Sequence, residues 1–221
     1  DLRTPIHNFI YFTDFLFDKY EELNAENREK LKRQMSNSAK RLNELLENLL
    51  TWSQFQRGHI VPNFKQIPLC EVINKSLDSL EDVAKAKDIS FKIDCPPEII
   101  GTCDENMMLT VYRNLISNAI KFSYRNSVID IFVETNHKYF ITSIKDYGKG
   151  IHPEIIPRLF EVGNKIGTIG TEGEPSTGVG LTICKDFIDV HQGRIEVQSE
   201  LEKGSTFKIY LPIEQTELNP L

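Results

Sequence analysis

No stretch of this 221-residue sequence approaches the roughly 20 consecutive apolar positions of a membrane-spanning helix, so any membrane contact is expected only through segments outside the chain. A basic stripe is missing too. Lys and Arg number 26 against 32 Asp and Glu, a net charge of −6, which argues against a nucleic-acid surface and favours a protein partner or a small ligand. Cysteine is scarce: Cys70, Cys95, Cys103 and Cys184 form no Cys-x-x-Cys pair. Neither a zinc site nor a disulfide framework is predicted, and buried reduced thiols in a cytoplasmic setting are expected. The histidines, His7, His59, His137, His152 and His191, are scattered without a metal-ligand spacing on one element. Internal repeats, low-complexity tracts, a signal peptide and an initiator methionine are all absent, so the chain reads as soluble, or as the soluble part of something longer. What is present is 40% hydrophobic residues, enough for a core, over a length that admits one large domain or two modest ones.

The apolar rhythm changes once. Leu2, Ile6, Phe9, Thr13, Leu16, Tyr20 and Leu23 recur at steps of four and three, as do Leu31, Met35, Ser38, Leu42, Leu45, Leu49 and Trp52 after a polar break that Asn24 can cap. Two helices in a hairpin follow. Phe12, Phe15, Phe17, Leu46 and Leu50 leave more apolar surface than a lone hairpin can bury, which predicts a homodimer closing a four-helix bundle. Gly58 and Pro62 end the second helix, and the patterns beyond mix strand and helix. The expected organisation is α+β: a helical-hairpin dimerisation domain over residues 1–61, an α/β sandwich with a mixed sheet over 62–214, and a tail or linker over 215–221. Within the sandwich, strands are predicted at 64–67, 89–94, 99–103, 128–135, 139–145, 194–199 and 205–211, the last two as a hairpin. Helices are predicted at 69–87, 105–123 and 153–160, with a further one ending at His191.

Eight of the 12 glycines lie between Asp146 and Leu181, at 148, 150, 163, 167, 170, 173, 178 and 180. Glycine lets a ligand approach the main chain, and Thr177-Gly178-Val179-Gly180-Leu181 reads as a loop opening into an apolar helix whose free amides suit an anion such as phosphate. Upstream, Asn114, Asn118 and Lys121 share one helix face at spacings of four and three, while Val111, Leu115, Ala119 and Phe122 serve the core. A carboxamide oxygen can ligate a hard cation and the lysine can neutralise phosphate.

In order and interval, these asparagines, the Asp146-Tyr147-Gly148-Lys149-Gly150 turn and the Gly178-Val179-Gly180-Leu181 loop resemble the Bergerat-type ATP site of sensor histidine kinases, shared with gyrase, heat-shock and mismatch-repair ATPases. Asp1-Leu2-Arg3-Thr4-Pro5 resembles the segment that directly follows the phosphoaccepting histidine in the largest class of those kinases. The acceptor is then expected at the residue before Asp1, and His7, two helical turns on, is not it. The resemblance implies ATP and Mg2+ as cofactors and a response-regulator receiver domain as partner. It implies that Asp1 orients or deprotonates the acceptor, that Thr4 positions water for dephosphorylating the regulator, and that Asp146 accepts from the adenine amine. Asn118 would hold Mg2+, Lys121 would offset phosphate charge, Phe160 would pack under a lid running from Val162 to Thr177, and Gly148, Gly150, Thr177, Gly178, Gly180 and Leu181 would line the nucleotide. The ATPases of this fold carry a glutamate where Asn114 stands, and an asparagine cannot act as that base, which suits a site that keeps water from competing with histidine. The lid is expected to be mobile without nucleotide, with a geometry that Glu172, Glu174 and Pro175 leave open. The rival expectation is a nucleotide-binding interaction module, or a phosphatase, that has lost kinase activity.

Overall fold

Asn24 starts the long helix of the N-terminal unit: its Oδ1 accepts from the Asn27 amide at 2.8 Å, and α1 runs Ala25–Gln56. The computed structural model describes residues 6–7, 10–11, 13–15, 17, 23–57, 61–161, 169–174 and 178–214. The chain divides into two units, Asp1–Ile60 and Val61–Leu221. In the first, Leu31 and Ser38 are buried, whereas Ile10, Phe17, Leu46 and Leu50 are exposed. No helix among the described residues is long and apolar enough to cross a membrane.

The second unit opens with β1 (Phe64–Pro68), α2 (Leu69–Asp78) and α3 (Glu81–Ala86), followed by β2 (Ser90–Asp94), β3 (Ile100–Asp104) and α4 (Glu105–Phe122). Next come β4 (Val128–Thr135), β5 (Tyr139–Lys145), α5 (Gly180–Val190), β6 (Arg194–Glu200) and β7 (Gly204–Pro212). The five-stranded sheet has the order β2-β4-β5-β7-β6. Strand β2 runs parallel to β4 and every other pair is antiparallel, so the fold is α+β with a mixed sheet. Strands β1 and β3 pair separately as a two-stranded ribbon.

Period-two burial decides which face is covered. Ile131, Ile144 and Phe207 lie side by side across three strands, and each is buried. They share their face with Thr142, whose hydroxyl meets the Tyr112 hydroxyl of α4 at 3.1 Å. Val111, Leu115 and Ala119 of α4 complete that layer, as the helical period predicts.

Three expectations fail. The helix predicted over 69–87 breaks at Ser79 and Leu80: the Ser79 hydroxyl donates back to the Ser76 carbonyl at 2.7 Å, a local bond that competes with the helical ladder. The helix predicted over 153–160 contracts to a 3-10 turn at Ile156–Arg158, whose central Pro157 cannot donate to a longer ladder. Cys70 and Cys95 form a disulfide, their Cα atoms 5.8 Å apart across 25 residues of sequence, and only Cys103 and Cys184 are free buried thiols. The first residues of α2 and the end of β2 bring those two cysteines together, which no sequence spacing announces. Burial pushes the Cys103 thiol up to about 12 and raises that of Cys184 as well.

Candidate nucleotide site

Helix α4 is the element on which the site is assembled, and it is fixed at both ends. Asp104 caps its start, Oδ1 accepting from the Met107 amide at 2.9 Å. The Asp104 amide donates in turn to Nε2 of His191, whose Nδ1 proton goes to the Phe187 carbonyl at 2.6 Å, so the imidazole is spent on joining the end of α5 to the start of α4. Burial holds this histidine below its ordinary pKa, which keeps it neutral in that role. His191 closes α5, as its place before Gln192-Gly193 suggests.

The glycine turn rests on the far end of α4. The Lys149 amide donates to the Phe122 carbonyl at 3.2 Å, and a Cβ on Gly148 would sit 1.9 Å from that same oxygen. Gly150 is needed twice over: its φ is +67°, and a Cβ there would lie 2.0 Å from the Glu200 carbonyl. Asp146, 3% exposed, precedes this turn. Its Oδ1 accepts from the amides of Gly148 at 3.0 Å and Ser205 at 3.2 Å. Burial drives its carboxyl up to about 6, against the pull of those amides. The result is a carboxylate desolvated yet held in one orientation, suited to accept from a single ligand donor.

At mid-helix, Asn114 touches the other glycine motif. Its Nδ2 donates to the Thr110 carbonyl at 3.0 Å, and its Oδ1 stands 2.6 Å from where a Gly180 Cβ would be. Gly180 is the first residue of α5, and Val179 before it gives no side-chain cap, so the opening amides of that helix face the asparagine side of α4. Asn118 and Lys121 continue the stripe, both half-buried. The Asn118 side chain makes no hydrogen bond to a described residue, leaving its carboxamide oxygen unspent, whereas Lys121 Nζ lies 5.2 Å from the Phe122 ring centroid and has further partners.

The structure therefore brings together Asn114, Asn118, Lys121, Asp146, Gly148, Gly150, Gly180 and Leu181, the last half-buried in the opening turn of α5. Gly178 adopts φ +74° just before that helix, and Phe160 is half-buried after the 3-10 turn. Asp1, Thr4 and Thr177 lie outside the described residues. Of the segment read as a lid, 162–168 and 175–177 lie outside the described residues, whereas Ile169–Glu174 is docked: the Thr171 hydroxyl donates to the Ser123 carbonyl at 2.6 Å and Lys87 pairs with Glu174 at 2.8 Å. Sequence reasoning missed Lys87 and Ser205. Lys87 had a signal, since it falls on the stripe of Ile73, Leu77, Leu80 and Ala84 where an apolar residue belongs. Ser205 acts through its backbone amide and had none.

A family model for histidine kinase-, DNA gyrase B-, and HSP90-like ATPases matches residues 103–215, which take in every one of these site residues from Asn114 to Leu181. The chain belongs to that ATPase family. Sensor protein SrrB of Staphylococcus aureus (strain MRSA252) is 32% identical over 212 residues, covering 96% of this chain. The chain spans 36% of that relative's length. Histidine kinase AdeS of Acinetobacter baumannii superposes over 97% of this chain and 98% of its own, with a TM-score of 0.76 and 23% identity, a likeness of fold alone. Histidine kinase ThkA, solved in complex with response regulator protein TrrA, superposes over 96% of this chain and 59% of its own, with a TM-score of 0.73 and 24% identity. Within the family the C-terminal unit is a histidine-kinase-like ATP-binding domain of a sensor kinase.

Proposed function

We propose that this chain is the catalytic core of a dimeric sensor histidine kinase, which uses magnesium and ATP to phosphorylate a histidine and passes the phosphoryl group to an aspartate of a response regulator. The observation that carries the reading is the placement of a desolvated carboxylate at one end of α4 and a helix N-terminus against Asn114 further along the same helix. A nucleotide spans such a cradle. Asp146 accepts from the exocyclic amine of adenine, and the missing side chains of Gly148 and Gly150 let the turn lie flat on its neighbours. The opening amides of α5 and the Lys121 ammonium meet the phosphates.

Among the described residues no group of three or more His, Cys, Asp or Glu could cage a metal. A single carboxamide oxygen on α4 fits magnesium, which dehydrates reluctantly and is held by one or two protein oxygens together with substrate phosphates. Asn118, with its unspent carboxamide oxygen, is the residue that would hold the ion, whose chemistry there would be neutralisation of phosphate charge. Phosphoryl transfer through a metaphosphate-like transition state asks for positioning and neutralisation rather than an acid-base pair. Asn114 fits that demand: its amide is committed to the Thr110 carbonyl, and it has no basicity with which to activate water.

Exposed Ile10, Phe17, Leu46 and Leu50 support the homodimer, since an equivalent hairpin would cover them. The complex of ThkA with its response regulator supports a receiver domain as partner. On this reading Asp1 and Thr4 act at the acceptor, Asp1 on the imidazole and Thr4 on the water of the reverse reaction. The test is transfer from ATP labelled at the γ-phosphate to a chain bearing a histidine immediately before Asp1. Acid-labile, base-stable label that is lost with His→Gln at that position is the expected result. Label on His7 would show that the acceptor is misplaced, and none with nucleotide bound refutes the kinase assignment.

A further inference from the structure

Lys87 is a lysine in a place built for an apolar residue. It ends the stripe of buried residues on α2 and α3, and its side chain is 5% exposed. An ammonium there costs desolvation unless all its protons are used, and each of the three is. Nζ donates to the Ile120 carbonyl at 3.0 Å, the Lys121 carbonyl at 2.9 Å and Glu174 Oε1 at 2.8 Å. Two of those partners are carbonyls from the last turn of α4, where a positive charge is favoured by the helix dipole. The third belongs to the glycine-rich segment between the 3-10 turn and α5.

Glu174 spends its carboxylate as fully. Oε2 accepts from the Glu172 amide at 2.7 Å, while the Glu174 carbonyl accepts from the Gly170 amide at 2.6 Å, closing a tight turn over residues 170–174. Burial disfavours its ionisation, but the bond from Lys87 and the amide bonds outweigh that and hold its carboxyl below the ordinary range. The turn is pressed against α4. The Thr171 amide reaches the Lys121 carbonyl at 3.1 Å, Lys149 donates to the Ile169 carbonyl, and a Cβ on Gly170 would meet the Lys121 side chain at 2.8 Å. Every partner on α4 lies within the last turn, which carries Lys121.

We propose that Lys87 and Glu174 are a positioning pair for ATP: the Lys87 ammonium clamps the Ile169–Glu174 turn to the end of α4, so that the chain reaches Gly178 and the opening of α5 from a fixed point. Four residues span at most about 14 Å, so a clamped Glu174 confines Gly178 to that radius. The entropy of ordering this part of the glycine-rich segment is then largely spent before nucleotide arrives. Neither residue touches the ligand. The glycine turn shares that end of α4, but the Asp146 carboxylate is oriented by the amides of Gly148 and Ser205 and takes no bond from the clamped turn, so the pair acts on the triphosphate and leaves adenine recognition unaffected.

The proposal deepens the nucleotide-site reading and rests on it, and two ligands separate the two. Calorimetric titrations of the chain with a magnesium complex of a non-hydrolysable ATP analogue and with adenosine compare wild type, Glu174→Ala, Glu174→Gln and Lys87→Met. Glu174→Ala should weaken the analogue about tenfold or more, the effect of one lost charge-assisted hydrogen bond, and leave adenosine unchanged. Glu174→Gln, which keeps a hydrogen-bonding group without its charge, should fall between. Hydrogen exchange at the amides of 170–172 should quicken in the nucleotide-free Glu174→Ala chain. Lys87→Met strips two helix carbonyls of their partner, and where that prevents folding the Glu174 variants decide. Equal analogue affinity in wild type and Glu174→Ala, or equal weakening of both ligands, overturns the pair alone. Failure of the wild type to bind either ligand overturns the nucleotide-site reading and the pair with it.

Discussion

Asp146→Asn should make the nucleotide-free protein more stable at neutral pH while removing the acceptor that adenine requires. The carboxyl titrates near 3.8 in the unfolded chain and at about 6 in the fold, where burial is the dominant cause. Between those values the native state keeps a proton that the unfolded state has released, so this group's contribution to stability falls as pH rises from about 4 to about 6 and is constant above. A difference of about two pKa units corresponds to about 3 kcal/mol at pH 7. Asparagine is nearly isosteric, carries no charge to desolvate, and its Oδ1 can still accept from Gly148 and Ser205. Weaker amide bonds to a neutral acceptor take back part of the gain, leaving roughly 1–3 kcal/mol, or several degrees in thermal midpoint. Thermal unfolding followed by circular dichroism from pH 4 to pH 8 reads the difference. The variant should exceed wild type at pH 7 and converge with it near pH 4. A variant equal to or below wild type at pH 7, or a gap that does not close with acid, refutes the assignment of a desolvated, functional carboxylate.

Gly148→Ala forces a Cβ to within 1.9 Å of the Phe122 carbonyl, a backbone atom that cannot swing away, so the turn must shift off α4. A loss of about 1–3 kcal/mol in urea unfolding, together with weakened nucleotide binding, is the expected outcome. Reducing the Cys70–Cys95 disulfide releases a loop of 25 residues from the denatured ensemble's constraint, which by the chain-entropy relation lowers stability by about 3.5 kcal/mol. Paired urea titrations with and without reductant check it, and Cys70→Ser should abolish the difference.

Much of this was legible because periodicity and punctuation agree. The four-and-three spacing of Asn114, Asn118 and Lys121 put them on one stripe of α4, and the glycines marked where the backbone needs φ > 0 or a close approach, as Gly150 and Gly180 show. Two strands of equal alternation, β4 and β5, were placed to the residue. What escaped depended on long-range contact. Ser79 and Leu80 interrupt a continuous apolar stripe through a side-chain bond that composition does not encode. The pairing of Cys70 with Cys95 needs the two-stranded ribbon and the five-stranded sheet to be placed first. Glu174 left the geometry of the glycine-rich segment open, and the buried Lys87, just past the end of α3 and 87 residues away, makes it an anchor.

The central claim, that the carboxylate beside the glycine turn and the opening of α5 form one nucleotide site, is tested most directly by calorimetry with ATP and magnesium at pH 7.5. Wild type should bind saturably at one site per chain, and Asp146→Asn should lose tenfold or more for both ATP and adenosine, because the amine then faces an amide in place of an ionised acceptor. Unchanged affinity in that variant, or no heat with wild type, would contradict it.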